Sequence, residues 1–265
     1  MSVFQLACLL AAGLFCIVLP FLSFLVVKRK LPSRWRIFWI GALTFFIFQI
    51  LLRLPWQIPL AAWMREHAAE GWMLVWFTLL SGLTAGLFEE TGRYLAYRFF
   101  VKKPTVGDGV ALGMGHGGIE SALLVGVSII SASIVTYLAT HQQIAIPPDQ
   151  MAALAAQTNL NGPWYLNFAG AYERVMALIA HVTMSLLVYV AYTRKRFSYF
   201  LIAVVVHMAI DAGVVLFAKF TGSTLLAEVL LTAVAVAGWL WMSRLIAKER
   251  VQMDIIRTDR SLHVH

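Results

Sequence analysis

Apolar positions along the chain gather into seven long stretches separated by short polar segments. They run approximately over Val3 to Val27, Ile37 to Leu60, Gly71 to Phe100, Gly109 to Thr140, Trp164 to Tyr192, Phe197 to Phe217 and Thr224 to Ile246. Each reaches the roughly 20 residues that a helix needs to cross the hydrocarbon layer of a membrane. The pattern predicts an all-α, polytopic transmembrane bundle of seven helices. The first stretch should remain as a helix, because Met1 to Gln5 lacks the basic leader of a cleavable signal and the apolar run is too long for one. Composition agrees: 60% of residues are hydrophobic and 13% charged, against about 25% charged in soluble domains. Soluble, collagenous, coiled-coil and disulfide-stapled folds are excluded, and residues 1–265 read as one integral membrane domain. Cys8 and Cys16 fall inside the first stretch as small apolar residues.

Charge sets the expected orientation. The net charge is +8, which alone could suggest nucleic acid, yet sixteen of the 21 Lys and Arg residues flank apolar runs. They form alternate clusters: Lys28 to Arg36, Arg98 to Lys103, Arg194 to Arg196, and Arg244 to Arg260. The intervening connections hold Arg65, none, and Lys219. Cytoplasmic connections accumulate Lys and Arg, so the N-terminus is expected outside and residues 247–265 form a basic cytoplasmic tail. A nucleic-acid partner is not expected. The connection from His141 to Pro163, with Pro147 and Pro148, reads as an irregular external segment, and no pair of broken helices is evident.

The candidate chemistry lies in ionisable residues within the apolar stretches, where each costs roughly 2.5 to 3.5 kcal/mol to insert. The third stretch carries Glu89, Glu90 and Arg93, the fourth His116 and Glu120, the fifth Glu173, Arg174 and His181, and the sixth His207 and Asp211; Arg53 lies on the second. Counting about 1.5 Å per residue from the cytoplasmic ends places Glu89, Glu90, His116, His181 and His207 roughly 10 to 17 Å in. Antiparallel helices thus deliver them to one layer, in a pocket open to water below the inner leaflet. Glu120 and Asp211 follow their histidines by four residues, on the same helix face one turn deeper. Taken singly, each pair could simply satisfy its own buried groups; three histidines and several carboxylates at one depth point to a site. Arg53, Glu173 and Arg174 read as a separate ion-pair set that fixes helix packing nearer the outer half.

Three imidazoles with a carboxylate suit a divalent metal, zinc above all, with one position left for water. Glu89 or Glu90 could take a proton from that water, and Arg93 could hold one of them ionised. Hydrolysis within the membrane follows. The glycines around His116, Gly113 to Gly118, read as close helix packing or as room for a substrate backbone. HExxH is absent, no Gly-x-Ser-Gly segment has a partner histidine, and Asp108 is a lone aspartate in a connection, so three known intramembrane protease signatures are missing.

The segments Glu89-Glu90-Thr-Gly-Arg93, Gly115-His116-Gly-Gly-Ile-Glu120, His181 and His207-Met-Ala-Ile-Asp211 resemble the YhfC family of intramembrane metalloproteases. They are more distantly similar to the CAAX protease and bacteriocin-processing group, with its EExxxR, FxxxH and HxxxN/D pattern. Here the first spacing is one residue shorter, Leu112 replaces the Phe, and His181 is additional. The resemblance covers the motif-bearing region, about 71–217. It implies peptide-bond hydrolysis in a membrane-embedded or lipidated substrate, with Glu89 or Glu90 activating water and His116 and His207 binding metal or stabilising the oxyanion. The additional His181 strengthens the metal reading as a third ligand, and Arg93, Glu120 and Asp211 complete the candidate catalytic set. Related groups also allow a metal-free glutamate mechanism. From the residues themselves, an ion- or proton-coupled transporter, a haem-binding electron carrier and a non-catalytic scaffold stay open.

Overall fold

A computed structural model describes residues 1–67 and 71–262; the last three residues of the 247–265 tail, and its basic side chains beyond Glu249, lie outside that description. Eight helices are found among the described residues. We label them α1 (Val3–Lys30), α2 (Trp35–Met64), α3 (Trp72–Phe99), α4 (Val106–Thr140), α5 (Pro148–Gln157), α6 (Trp164–Thr193), α7 (Phe197–Thr221) and α8 (Thr224–Leu262). All except α5 contain a segment long and apolar enough to cross a membrane, seven in total. The chain is a multi-pass membrane protein. Helix α5 corrects the expectation of a purely irregular connection over 141–163: Pro148 opens it with φ already fixed, and Asp149 sits in its first turn.

The connections sort to two ends. At one, Arg34 meets Asp108 at the start of α4 at 2.8 Å, and Arg194 meets Glu249 at 2.9 Å; this is the basic end. At the other, Gln5 donates to the Leu160 carbonyl at 3.1 Å and Phe4 packs on Trp164; this is the α5 end. Asp108, unremarkable in the sequence, has two tasks. It completes a capping box with Thr105, satisfying the first amides of α4, and it anchors the α1–α2 connection through Arg34.

Helix α4 lies at the centre, buried on every face from Val106 to Gly118. Backbones touch where side chains are missing. A Cβ at Gly41 would overlap the Leu112 carbonyl, and one at Gly115 would overlap that of Phe38, so α2 and α4 meet main chain to main chain. Gly113 stands in the same relation to Val182 of α6, at 2.6 Å from an added Cβ to its Cα. Close packing of this kind replaces the hydrophobic drive that lipid cannot supply. The packing reading of the His116 glycines therefore holds, and Gly117 adds a second use: its missing side chain makes room for the His181 ring.

Toward the basic end the interior is filled with side chains. Tyr97, Leu112, Leu186, Val188 and Ala203 are fully enclosed, Tyr97 bonds Ser185, and Tyr94 packs edge-on to Tyr192 and Phe200. Two spans depart from α geometry, which the sequence did not reveal. Phe46–Arg53 in α2 and Ser121–Gly126 in α4 are π-helical, and they begin just after Thr44 and Glu120. Wider turns of this kind re-aim side chains and recur at functional sites.

Candidate metal centre

Glu89, Glu90 and Arg93 occupy one buried turn of α3, exposed by 2%, 0% and 0%. His116 of α4, His181 of α6 and His207 of α7 surround that turn and are buried too. The depth argument thus corresponds to real proximity: the ring centroids of His116 and His181 lie 5.6 Å apart, and those of His181 and His207 lie 5.9 Å apart.

Ring contacts orient the histidines. The Thr44 hydroxyl lies 2.7 Å from the Gly41 carbonyl and 3.0 Å from His116 Nδ1, and His116 Nε2 faces Glu89 Oε2 at 2.8 Å. His207 donates from Nδ1 to the Glu90 carboxylate at 2.8 Å, and its Nε2 lies 3.7 Å from the same Glu89 oxygen and 3.6 Å from Asp211 Oδ2. With each ring protonated on Nδ1 alone, both Nε2 lone pairs and the Glu89 oxygen would converge as acceptors, an arrangement that a cation would join. The donor set fits a divalent ion of the zinc type, and the histidine orientation by Thr44 and Glu90 is the outer-shell pattern that metal sites use.

His181 is engaged differently. Its Nδ1 accepts from Arg93 Nη2 at 2.7 Å, and its Nε2 donates to Glu120 Oε2 at 2.7 Å. It nevertheless belongs to the tightest grouping, since one donor atom each from Glu89, His116 and His181 lies within 4.8 Å of the others. Arg93 also pairs with Glu90, and lies 3.6 Å from Glu89. Glu90 Oε2 and Arg93 Nε are buried without a hydrogen-bond partner in the protein. Such unspent polar atoms beside the converging acceptors mark the space where chemistry can occur.

Three expectations need correction. Glu120 does not bond His116 along α4 but crosses to His181 and, at 3.0 Å, to Arg174, while His116 turns to Glu89 and Thr44. Arg174, also paired with Glu173, is thereby joined to the centre rather than to a separate packing set. Arg53 does not join Glu173 and Arg174: its hydrogen-bond partners are Gln49, Ser81 and Thr84, which tie α2 to α3. Asp211 stands at 3.6 Å from His207, at the edge of the cluster, while Glu90 orients that ring. Thr44 was missed in the sequence. Its signal, a lone hydroxyl in an apolar stretch at the same depth as His116, is faint.

A multi-pass helical bundle with a buried histidine–carboxylate centre defines a membrane protein whose chemistry, if metal-assisted, is done inside the bilayer. Comparison with known proteins agrees: a family model described as the YhfC intramembrane metalloprotease matches residues 15–254. Similarity is also found to the uncharacterized membrane protein YhfC of Bacillus subtilis (strain 168), 33% identical over 215 residues, which cover 78% of this chain and 83% of that protein. The chain belongs to the YhfC intramembrane metalloprotease family. No solved structure matches it.

Proposed function

We propose that the chain is a metal-dependent peptidase that hydrolyses a peptide bond in a membrane-embedded or lipidated substrate, with zinc as the favoured ion. The observation that carries this reading is the convergence of His116 Nε2 and His207 Nε2 on Glu89 Oε2. Glu89, His116 and His207 would hold the ion, a two-histidine, one-carboxylate set that leaves a place for water. When bound, the ion supplies a Lewis acid that polarises the scissile carbonyl and makes water acidic enough to react near neutral pH.

The remaining steps belong to the chain. Glu90 is anchored through Oε1 by Arg93 and His207, and its unpartnered Oε2 takes the proton from the attacking water. The hydroxide oxygen adds to the carbonyl carbon, and the same proton passes from Glu90 to the leaving nitrogen as the C–N bond breaks. Arg93 and the His181 ring held by Glu120 stand beside the centre as preorganised positive and dipolar groups for charge that develops on the carbonyl oxygen. Asp211 flanks His207 on its open side. The reading includes an orientation with the N-terminus outside and the basic end in the cytoplasm, in a bacterial cytoplasmic membrane.

The close grouping of Glu89, His116 and His181 favours a second ligand set, in which Arg93 releases His181 Nδ1. Metal analysis of the detergent-purified protein separates the two. The first set expects one ion per chain in the wild type, loss in His116→Ala and His207→Ala, and retention in His181→Ala. Retention in His207→Ala with loss in His181→Ala selects the second set. Unchanged content in all three variants removes the metal centre. Peptides released from membranes of cells making the wild type, and not from those making Glu90→Gln, test hydrolysis itself.

A further inference from the structure

The expectation of a pocket opening below the basic end meets an obstacle, because that side is plugged. Between the centre and the basic end lie the enclosed side chains of Tyr97, Leu112 and Leu186. A surface cavity of about 760 Å³ at that end is lined by Tyr94, Ala191 and Tyr192, the two tyrosine rings packing edge-on, and Arg93 and the three histidines are not among its lining residues.

Beyond the centre, toward the α5 end, polar groups continue instead. From His181 Nε2 the chain of contacts runs to Glu120 at 2.7 Å and from Glu120 to Arg174 at 3.0 Å. Arg174 pairs next with Glu173, and Glu228 of α8 lies within electrostatic reach of both. Asp211 flanks the same region from α7. Depth differs among them: Glu228 lies four residues into α8, whereas Asp211 is about 15 Å from the end of α7, so the set runs from the α5 end inward to the centre. Yet the side chains of Asp211, Glu173 and Glu120 are 44%, 40% and 19% exposed. Asp211 cannot be facing hydrocarbon alone, because its Oδ2 is 3.6 Å from the enclosed His207 ring. Arg174 Nε and Glu228 Oε2 are buried and have no hydrogen-bond partner in the protein. Carboxylates and a guanidinium in that state require water.

We infer that water reaches the centre from the α5 end, along a hydrated passage lined by Asp211, Glu120, Arg174, Glu173 and Glu228, and that the basic end is closed. For its purpose the inference rests on the hydrolytic reading, since the passage would supply the water consumed in peptide cleavage; its test depends on hydration alone.

The test is cysteine accessibility in sealed vesicles, with Cys8→Ala and Cys16→Ala as background and a charged, membrane-impermeant thiosulfonate as probe. Gln142→Cys and Lys103→Cys mark the two sides. Asp211→Cys and Glu173→Cys are expected to react from the Gln142 side, at least tenfold faster than the lipid-facing Val236→Cys. Reaction from the Lys103 side, or at no more than the Val236→Cys rate, overturns the passage. Radiolytic hydroxyl labelling of the wild type in nanodiscs needs no substitution. Oxidation of His181 and His207 is expected, and their protection while Met151 is oxidised overturns the inference. Accessibility without any cleavage would sink the hydrolytic reading and leave the passage standing.

Discussion

The two halves of the bundle handle the same membrane problem in opposite ways. Toward the basic end, Phe24, Phe38, Tyr97, Leu112 and Leu186 are enclosed and interlocked, and the polar groups among them are paired, as Tyr97 is with Ser185 and Asp108 with Arg34. Toward the α5 end, Glu120, Arg174 and Glu173 form an ion-paired chain whose side chains stay partly open. The catalytic candidates lie on the boundary. Packing of the closed half holds α3, α4, α6 and α7 in register, while the charged half would supply water to the hydrolysis proposed above. Rigidity and reactivity are thus divided along the helix axes rather than between separate layers.

Several substitutions can break or sharpen this contrast. The largest effect is expected at the boundary: Glu90→Gln keeps the shape but removes the proton acceptor, and cleavage measured with a substrate should fall about 10²- to 10⁴-fold, with the ion retained. A fall of less than fivefold would remove Glu90 from the role of base. In the closed half, Leu112→Ala should cost about 2 to 5 kcal/mol in unfolding experiments in detergent, because α4 is too tightly held to collapse onto the cavity. Thr44→Val removes the hydroxyl that holds His116 Nδ1 and should weaken metal affinity about 10- to 100-fold in a competition titration, without changing the melting profile by more than a few degrees. Smallest is Tyr97→Phe, expected to cost about 1 kcal/mol by loss of its bond to Ser185; no change in metal content should accompany it.

Much of this was legible in the sequence. The seven apolar stretches match the seven spans to within a few residues at most ends, because hydrophobic length is a property of the chain alone. Counting residues from the basic connections brought Glu89, His116, His181 and His207 to one layer, since depth along a helix needs only a rise per residue. Rotation about the helix axis is a different matter. Helix α4 is buried on all faces over Val106–Gly118, so no polar stripe reveals which way His116 and Glu120 point. His116 and Glu120 do not pair along the helix because each is taken by partners on other helices, Glu89 for His116 and His181 and Arg174 for Glu120. The link from Arg174 to Glu120 depends on how α4 and α6 are turned toward each other, and so appears only in three dimensions.

The bare carbonyl contacts at Gly41 and Gly115 carry an evolutionary and mechanical corollary. Where two main chains rest directly on each other, not even a methyl group can be tolerated, and neither helix can slide or roll without moving its mate. His116 and its Thr44 support are therefore carried on a single welded strut. Whatever flexing admits a bulky polypeptide must be sought in the helices around that strut.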